Sequence, residues 1–205
     1  MRTLVLFTAL VAILAGAAIV QWGRMNPLLP PETSMTTLGI GATIGSPDAP
    51  VDLLIIEDFL CPSCRQFHQK YFAQIKEEYI KTGKARYTMV PIPVVRGSGL
   101  LENAALAVYQ QNPDLFFPYV EKIFQNFRRS TKREVAEKQL MEIARELGGI
   151  NEELLKKCID TRCNRDLLQR NLDWAHRRMG PQFVLPAFYM DGKLTTMAEV
   201  EEALR

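Results

Sequence analysis

Residues 51–64 read VDLLIIEDFLCPSC, an apolar and β-branched run that leads into two cysteines with two residues between them. The first six residues predict a buried strand, and the chain from Arg65 to about Lys81 predicts a helix. The cysteine pair therefore lies where a strand passes into a helix. Free backbone N–H groups and the positive end of the helix dipole favour a thiolate at Cys61 in that position. Pro62 fits the first helical position, which needs no N–H donor.

Two alternatives stand beside a redox role for Cys61 and Cys64. Together with Cys158 and Cys163 they could form an all-thiolate zinc site, or they could form an inert structural disulfide. A zinc knuckle usually holds its ligands in a mobile loop, whereas this pair lies between a buried strand and a helix. We therefore predict a redox pair, with no metal and no cofactor.

The first 25 residues predict export from the cytoplasm. Arg2 is followed by eighteen uncharged and mostly apolar residues, Thr3 to Val20. The small residues at 15–18 suit a cleaved signal peptide, whereas the length of the run, with Trp22 and Arg24 after it, suits an uncleaved membrane anchor. Both alternatives place the rest of the chain in the periplasm or another extracytoplasmic space, secreted or tethered to the inner membrane, where disulfides persist.

Size and charge narrow the class of protein. The 205 residues suffice for one domain with an inserted subdomain. Without Arg2 and Arg24 of the N-terminal segment, basic and acidic residues are equal in number. A neutral domain has no general attraction to nucleic acid, so we predict no nucleic-acid partner.

Beyond the N-terminal segment the sequence predicts a proline-containing linker, residues 26–43, and one domain, residues 44–205. Within the domain, Thr131 with Glu134 forms a capping-box pattern, and Asn151 is a second N-cap candidate. After the first strand and helix come a strand, a block of helices, a hairpin and a closing helix, at residues 85–95, about 98–179, 183–194 and 196–204.

Two segments carry a resemblance to a known family. IGSPDAPVDLLIIEDFLCPSC (residues 44–64) and FVLPAFYMDGK (residues 183–193) resemble the signature regions of the DsbA-like thiol–disulfide oxidoreductases. The resemblance covers roughly residues 44–205. It implies an α/β, thioredoxin-like fold, in which a central mixed β-sheet is flanked by helices and a helical subdomain is inserted at about 98–179.

The resemblance also implies roles for individual residues. Cys61 resembles the exposed nucleophile of the family, and Cys64 resembles its buried resolving partner. Pro186 resembles the cis-proline that lies beside the redox pair. Leu185 would present backbone groups to an extended substrate peptide, which would bind as a transient strand.

The chain departs from the family pattern at two positions. Thioredoxin-like enzymes often keep a buried carboxylate six residues before the first cysteine, where this chain has Ile55. Glu57 lies two residues further on, on the same face of a regular strand, and is the candidate substitute. Ser63 replaces the histidine of the strongest oxidases, so we expect weaker activation of Cys61 from one hydroxyl donor without a positive charge. His68, two helical turns beyond Cys61, is expected to pack or to lie at the surface.

Cys158 and Cys163 leave three alternatives: a second, non-catalytic disulfide, two buried thiols, or a resolving or regulatory role. Residues five apart in a continuous helix lie roughly 8–9 Å apart, too far for a disulfide. A bridge therefore requires the helix to break, and Asp160-Thr161 is the predicted break, with Thr161 as a new N-cap. An even number of cysteines in an oxidising compartment favours the disulfide.

These features predict an extracytoplasmic thiol–disulfide oxidoreductase that introduces disulfides into exported proteins through Cys61 and Cys64. The expected partners are exported substrates with cysteine thiols and, by resemblance, a membrane redox partner that resets the pair. One alternative is a reductase or isomerase kept reduced by a membrane donor. Another is a chaperone or assembly factor that uses the groove at Pro186 without turnover.

Overall fold

The computed structural model of the protein describes residues 41–204, and its centre is a five-stranded mixed sheet. The strands are β1 (Ala42–Ile44), β2 (Val51–Glu57), β3 (Ala85–Pro91), β4 (Ala187–Met190) and β5 (Lys193–Thr195). Their order across the sheet is β1-β3-β2-β4-β5. β2 is parallel to β3 and antiparallel to β4, and the two edge strands β1 and β5 pair antiparallel with β3 and β4.

The central position of β2 explains its composition. Residues 53–57 are all buried, so both faces of the strand are covered. A strand buried on both faces is continuously apolar rather than alternating, which is the pattern of Leu53 to Ile56. Glu57 is the exception, a charged side chain at the buried end of the strand that leads to the cysteine pair.

The described residues contain seven helices. They are α1 (residues 62–80), α2 (Gly99–Gln111), α3 (Phe116–Asn126), α4 (Arg133–Leu147), α5 (Glu152–Thr161), α6 (Arg165–Met179) and α7 (Met197–Leu204). In α1, α-helical turns alternate with two π-helical stretches, His68–Phe72 and Lys76–Ile80. The helices α2 to α6 follow one another between β3 and β4, where the sequence predicts the helical subdomain. The architecture is a thioredoxin-like fold with a helical insertion.

The helical subdomain is held by an aromatic core. The hydroxyl of the buried Tyr119 donates a hydrogen bond to the Leu140 carbonyl at 3.0 Å, which joins α3 to α4. Phe124 of α3 stacks on the ring of His68, with ring centroids 4.1 Å apart. The insertion therefore packs directly against the helix that begins at the redox pair.

Of the three helix N-caps predicted from the sequence, the structure confirms one. Asn151 caps α5, because its side-chain oxygen accepts a hydrogen bond from the Leu154 N–H. The expected capping box at Thr131 is wrong: Lys132 is the N-cap of α4, and its N–H donates to the Ser130 hydroxyl instead. The prediction of Thr161 as a new N-cap is also wrong, since it is the last residue of α5 and its hydroxyl donates to the Lys157 carbonyl.

The predicted linker, residues 26–43, extends too far. Ala42 and Thr43 belong to β1, which pairs with Thr88 and Met89 of β3. The rest of that linker and the predicted signal peptide or anchor, residues 1–25, lie outside the described residues. Across residues 41–204, none of the helices combines the length and the apolar character needed to cross a bilayer.

Candidate active site

Cys61 is the N-cap of α1. Its backbone is extended (φ −70°, ψ 124°), Pro62 follows at the first helical position, and the Cys61 carbonyl accepts the Arg65 N–H at 3.1 Å. The Cys61 side chain is half-buried, whereas Cys64, one turn further, is fully buried. The helix thus presents one sulfur to solvent and directs the other into the core.

The pKa values of the two thiols are shifted in opposite directions. The pKa of Cys61 is lowered from 9.0 to about 6. The largest cause is a hydrogen bond from the Cys64 thiol, and the backbone N–H groups of Cys64 and Ser63 add to it, whereas burial of Cys61 acts in the opposite direction. Burial raises the pKa of Cys64 far above its ordinary range, and its hydrogen bond to Cys61 and the negative charge of Glu57 act in the same direction. At neutral pH the reduced pair is therefore a Cys61 thiolate beside a protonated Cys64 thiol.

The segment before β4 lies against the redox pair. The Leu185–Pro186 peptide bond is cis, and the Cys61 thiol points at the Leu185 carbonyl oxygen, with 3.9 Å between Sγ and O. Val184, one residue earlier, is 83% exposed. The Leu185 carbonyl thus lies beside the Cys61 sulfur and directly follows a residue with an exposed apolar side chain.

Glu57 and His68 form a buried pair below the cysteines. The His68 Nε2 and Glu57 Oε2 atoms are 2.8 Å apart, and both side chains are almost completely buried. The second oxygen of Glu57 and the His68 Nδ1 have no hydrogen-bond partner among the described residues. Because the charge of Glu57 acts on the pKa of Cys64, this pair is electrostatically coupled to the buried sulfur.

Asp58 fixes the loop between β3 and α2 to the active site. Its Oδ2 accepts hydrogen bonds from the Val94 N–H, the Val95 N–H and the Ser98 hydroxyl at 2.6–2.8 Å. Its backbone carbonyl accepts the Cys61 N–H at 3.0 Å, and its negative charge opposes ionisation of Cys61. Asp58 therefore positions the turn that carries Cys61.

A third buried carboxyl group, Glu102 of α2, completes this environment. Its Oε1 accepts the Phe59 N–H at 2.9 Å. Burial, reinforced by the negative charge of Asp58, raises the pKa of Glu102 well above its ordinary 4.5. The environment of Glu102 thus favours its neutral form, and its hydrogen bond to Phe59 joins the inserted subdomain to the turn that leads to Cys61.

Comparison with known proteins agrees with this arrangement. The family model described as thioredoxin matches residues 37–205. The chain belongs to the thioredoxin family. It is 27% identical over 186 residues to the probable disulfide bond formation protein D of Bacillus cereus. The matched region covers 90% of this chain and 85% of the Bacillus protein.

Solved structures place the chain among the DsbA-like members of the thioredoxin family. Oxidised BdbD from Bacillus subtilis matches with a TM-score of 0.71 and 25% identity, over 82% of this chain and 92% of BdbD. DsbA from Chlamydia trachomatis matches with a TM-score of 0.73 and 26% identity, over 87% and 95% of the two chains. The resemblance inferred from the two sequence segments is therefore confirmed.

In this DsbA-like protein the structure brings together most residues singled out in the sequence. Cys61, Cys64 and Leu185 meet at the start of α1, and Glu57 lies buried beneath them. Ser63 differs from the expectation: among the described residues its hydroxyl makes no hydrogen bond, and Ser63 contributes to the lowered pKa of Cys61 through its backbone N–H, less than the Cys64 thiol does.

Cys158 and Cys163 lie apart from the redox pair and are joined in a disulfide, with Cα atoms 4.9 Å apart. The helix ends between them, as a bridge requires. The break is at Arg162, which adopts a left-handed conformation (φ 53°, ψ 50°), and not at the predicted Asp160-Thr161.

The sequence analysis missed Asp58, Glu102 and the partnership of His68 with Glu57. Asp58 lies in the short stretch between the strand and Cys61, and its closeness to the cysteines in the sequence could have identified it as part of the site. No local pattern identifies Glu102, because its partner is 43 residues away in the chain.

Proposed function

We propose that this protein is an extracytoplasmic thiol–disulfide oxidoreductase that introduces disulfides into exported proteins through Cys61 and Cys64. The observation that supports this most strongly is the contrast between the two sulfurs, one half-exposed with a pKa of about 6 and one buried with a raised pKa. A thiolate stabilised in the reduced protein favours the reduced state, and this makes the disulfide a good oxidant.

The first step of the proposed reaction is attack by a substrate thiolate on the sulfur of Cys61. The bond between Cys61 and Cys64 breaks, its electron pair passes to the Cys64 sulfur, and a mixed disulfide joins the substrate to Cys61. Because the pKa of Cys64 is raised, this sulfur takes up a proton. Attack at Cys61 is expected because Cys64 is fully buried.

A second substrate thiolate completes the reaction. It attacks the substrate sulfur of the mixed disulfide, and Cys61 leaves as a thiolate stabilised by the N–H groups at the start of α1. The substrate has lost two electrons and the cysteine pair has gained two. A membrane redox partner would then withdraw these electrons and reset the pair.

Glu57 is the proposed proton relay to Cys64: it takes up a proton that comes from solvent, passes this proton to the departing Cys64 sulfur and returns to the carboxylate. Its negative charge acts on the buried thiol, and its carboxylate is held by His68. It would take the role of the carboxylate that the family often keeps six residues before the first cysteine, where this chain has Ile55.

The proposed peptide site is the segment that ends at Pro186. An extended substrate would bind beside Leu185, whose carbonyl already contacts the Cys61 sulfur, and against the exposed side chain of Val184. The apolar run at residues 3–20 supports an extracytoplasmic location for this chemistry, and it would act as a signal peptide or a membrane tether.

The decisive experiment measures the reduction potential of Cys61–Cys64 in glutathione buffers, with Cys158 and Cys163 replaced by alanine. We expect roughly −120 to −180 mV, the range of disulfide donors. A value of about −250 mV or lower would overturn the oxidase assignment and favour a reductase. In parallel, Cys64→Ser whose Cys61 has first been converted to its mixed disulfide with thionitrobenzoate should exchange thionitrobenzoate for reduced substrate proteins and accumulate mixed disulfides, whereas Cys61→Ser treated in the same way should form none.

A further inference from the structure

A cavity of about 450 Å³ lies in the helical subdomain, and no residue of the redox site lines it. It opens between the first turns of three helices, at Gly99 of α2, Arg133 of α4 and Arg165 of α6. Its volume is in the range of small-molecule binding sites, roughly 300–1,000 Å³. The mechanism proposed above does not use it.

The charge of the lining is positive. Arg133, Arg162 and Arg165 line the cavity, and no lining residue is acidic. Arg133 is paired with Glu137 and donates to the Ile159 carbonyl. The guanidinium groups of Arg162 and Arg165 form no ion pair and no hydrogen bond within residues 41–204, although the Arg165 backbone N–H donates to the Arg162 carbonyl at 2.9 Å. Two guanidinium groups are therefore available to a ligand.

The rest of the lining divides into polar and apolar parts. Ser130, Thr131 and Gln169 add hydroxyl and amide donors, and Pro93, Leu100 and Leu168 supply an apolar wall. A fully polar ion would leave that wall unused, whereas an uncharged apolar molecule would leave the arginines unused. The lining as a whole matches a molecule with one charged end and one apolar end.

The turn that carries Arg162 is fixed before any ligand binds. The Cys158–Cys163 disulfide closes it. The buried side chain of Asn103 donates to the Cys158 carbonyl at 3.1 Å and accepts the Asn164 N–H at 2.9 Å. A site held in place in this way loses less conformational freedom when a ligand binds.

We propose that this cavity binds an organic anion, that is, a carboxylate or a phosphate group attached to a compact apolar body. The proposal rests on the two unpaired guanidinium groups and the apolar wall of the cavity. The two guanidinium groups of Arg162 and Arg165 hold the anionic group by charge-assisted hydrogen bonds. The apolar body packs on Leu100 and Leu168. The site is separate from the thiol–disulfide reaction and does not depend on its direction.

The test is titration calorimetry of the full chain with octanoate and hexyl phosphate, compared with octanol and inorganic phosphate. We expect measurable binding of at least one of the two amphiphilic anions and weaker or no binding of the two reference compounds. Arg162→Gln/Arg165→Gln should weaken that binding on the order of tenfold or more. The matched control, Arg170→Gln/Arg177→Gln, removes two exposed charges from α6 outside the cavity and should leave the affinity unchanged.

Sedimentation with vesicles that contain anionic phospholipid distinguishes the sources of the ligand. Vesicle binding that is lost only in the Arg162→Gln/Arg165→Gln variant would identify a lipid headgroup, and binding of the free anions alone would identify a soluble metabolite. The proposal is overturned if neither anion nor vesicle binds. It is also overturned if the cavity variant and the control variant bind equally well, or if inorganic phosphate binds as tightly as hexyl phosphate.

Discussion

The pKa of Cys61 can be tested with a matched pair of substitutions at its neighbour. The largest cause of its low value, about 6, is the hydrogen bond from the Cys64 thiol. Cys64→Ala removes this donor, whereas Cys64→Ser replaces the S–H with an O–H at the same place. Both variants leave Cys61 as the single thiol of the active site, so the titration reports one group.

The size of the effect follows from the strength of the lost bond. A hydrogen bond to a charged acceptor contributes about 1.5–3 kcal/mol, but S–H is a weak donor. Cys61 is also half-exposed, so solvent screens the interaction. We therefore take about 1.4 kcal/mol, which is about one pKa unit. Cys64→Ala should titrate near about 7, and Cys64→Ser should stay near the value of the unmodified protein.

The assay is thiolate absorbance at 240 nm across the pH range, with iodoacetamide alkylation rates as a second readout. At pH 6 the thiolate fraction should be about one half in Cys64→Ser and about one tenth in Cys64→Ala, so alkylation rates should differ about fivefold. Cys61→Ser is the control and should show no transition in this range, since the pKa of Cys64 is raised. If the two Cys64 variants titrate at the same pH, the side-chain hydrogen bond is not the main cause.

Further substitutions test the surroundings of the site. The folded pKa of Cys61 lies below its unfolded value, so the thiolate stabilises the reduced protein fully above about pH 9 and this contribution is lost as pH falls through about 6. Thermal unfolding should show reduced protein gaining stability over this window relative to Cys61→Ser, and parallel curves would contradict the assignment. Glu57→Gln should slow disulfide exchange with a model peptide by tenfold or more without unfolding the protein, because a glutamine amide cannot relay a proton to the buried sulfur. Replacing Cys158 and Cys163 by alanine should lower the free energy of unfolding by about 2 kcal/mol, from closure of a five-residue loop, as measured by urea denaturation. Tyr119→Phe should lower it by about 1 kcal/mol, because a buried hydrogen bond is lost.

Elements with local causes could be predicted from the sequence. The strand at residues 51–57 and the helix after it are specified by apolar runs, a proline at the first helical position and the cysteine at its N-cap. The hairpin between β4 and β5 follows from Asp191-Gly192, which both adopt positive φ (49° and 80°). In these cases each residue that determines the structure is a neighbour in the chain.

Features that depend on distant partners could not be predicted. β1 is only three residues long and exists because it pairs with β3, more than 40 residues away. Thr131 matches a capping pattern, but the helix begins one residue later, with Lys132 as its N-cap, and the Ser130 hydroxyl accepts the Lys132 N–H. Glu102 is the one charged residue of α2, and only the folded structure shows that it accepts the Phe59 N–H. A single sequence contains no signal for contacts between residues that are far apart in the chain.

The carboxyl groups around the redox pair act unequally on its two sulfurs. At Cys61 the negative charge of Asp58 opposes ionisation, but three hydrogen-bond donors outweigh it and the thiolate forms. At Cys64, burial and the charge of Glu57 act together against ionisation. The same negative surroundings therefore widen the difference between the two thiols and do not suppress the nucleophile. The largest of these donors is the Cys64 thiol, and the backbone N–H groups of Cys64 and Ser63 add to it, so the first turn of the helix lowers the pKa of Cys61 without a charged side chain at position 63.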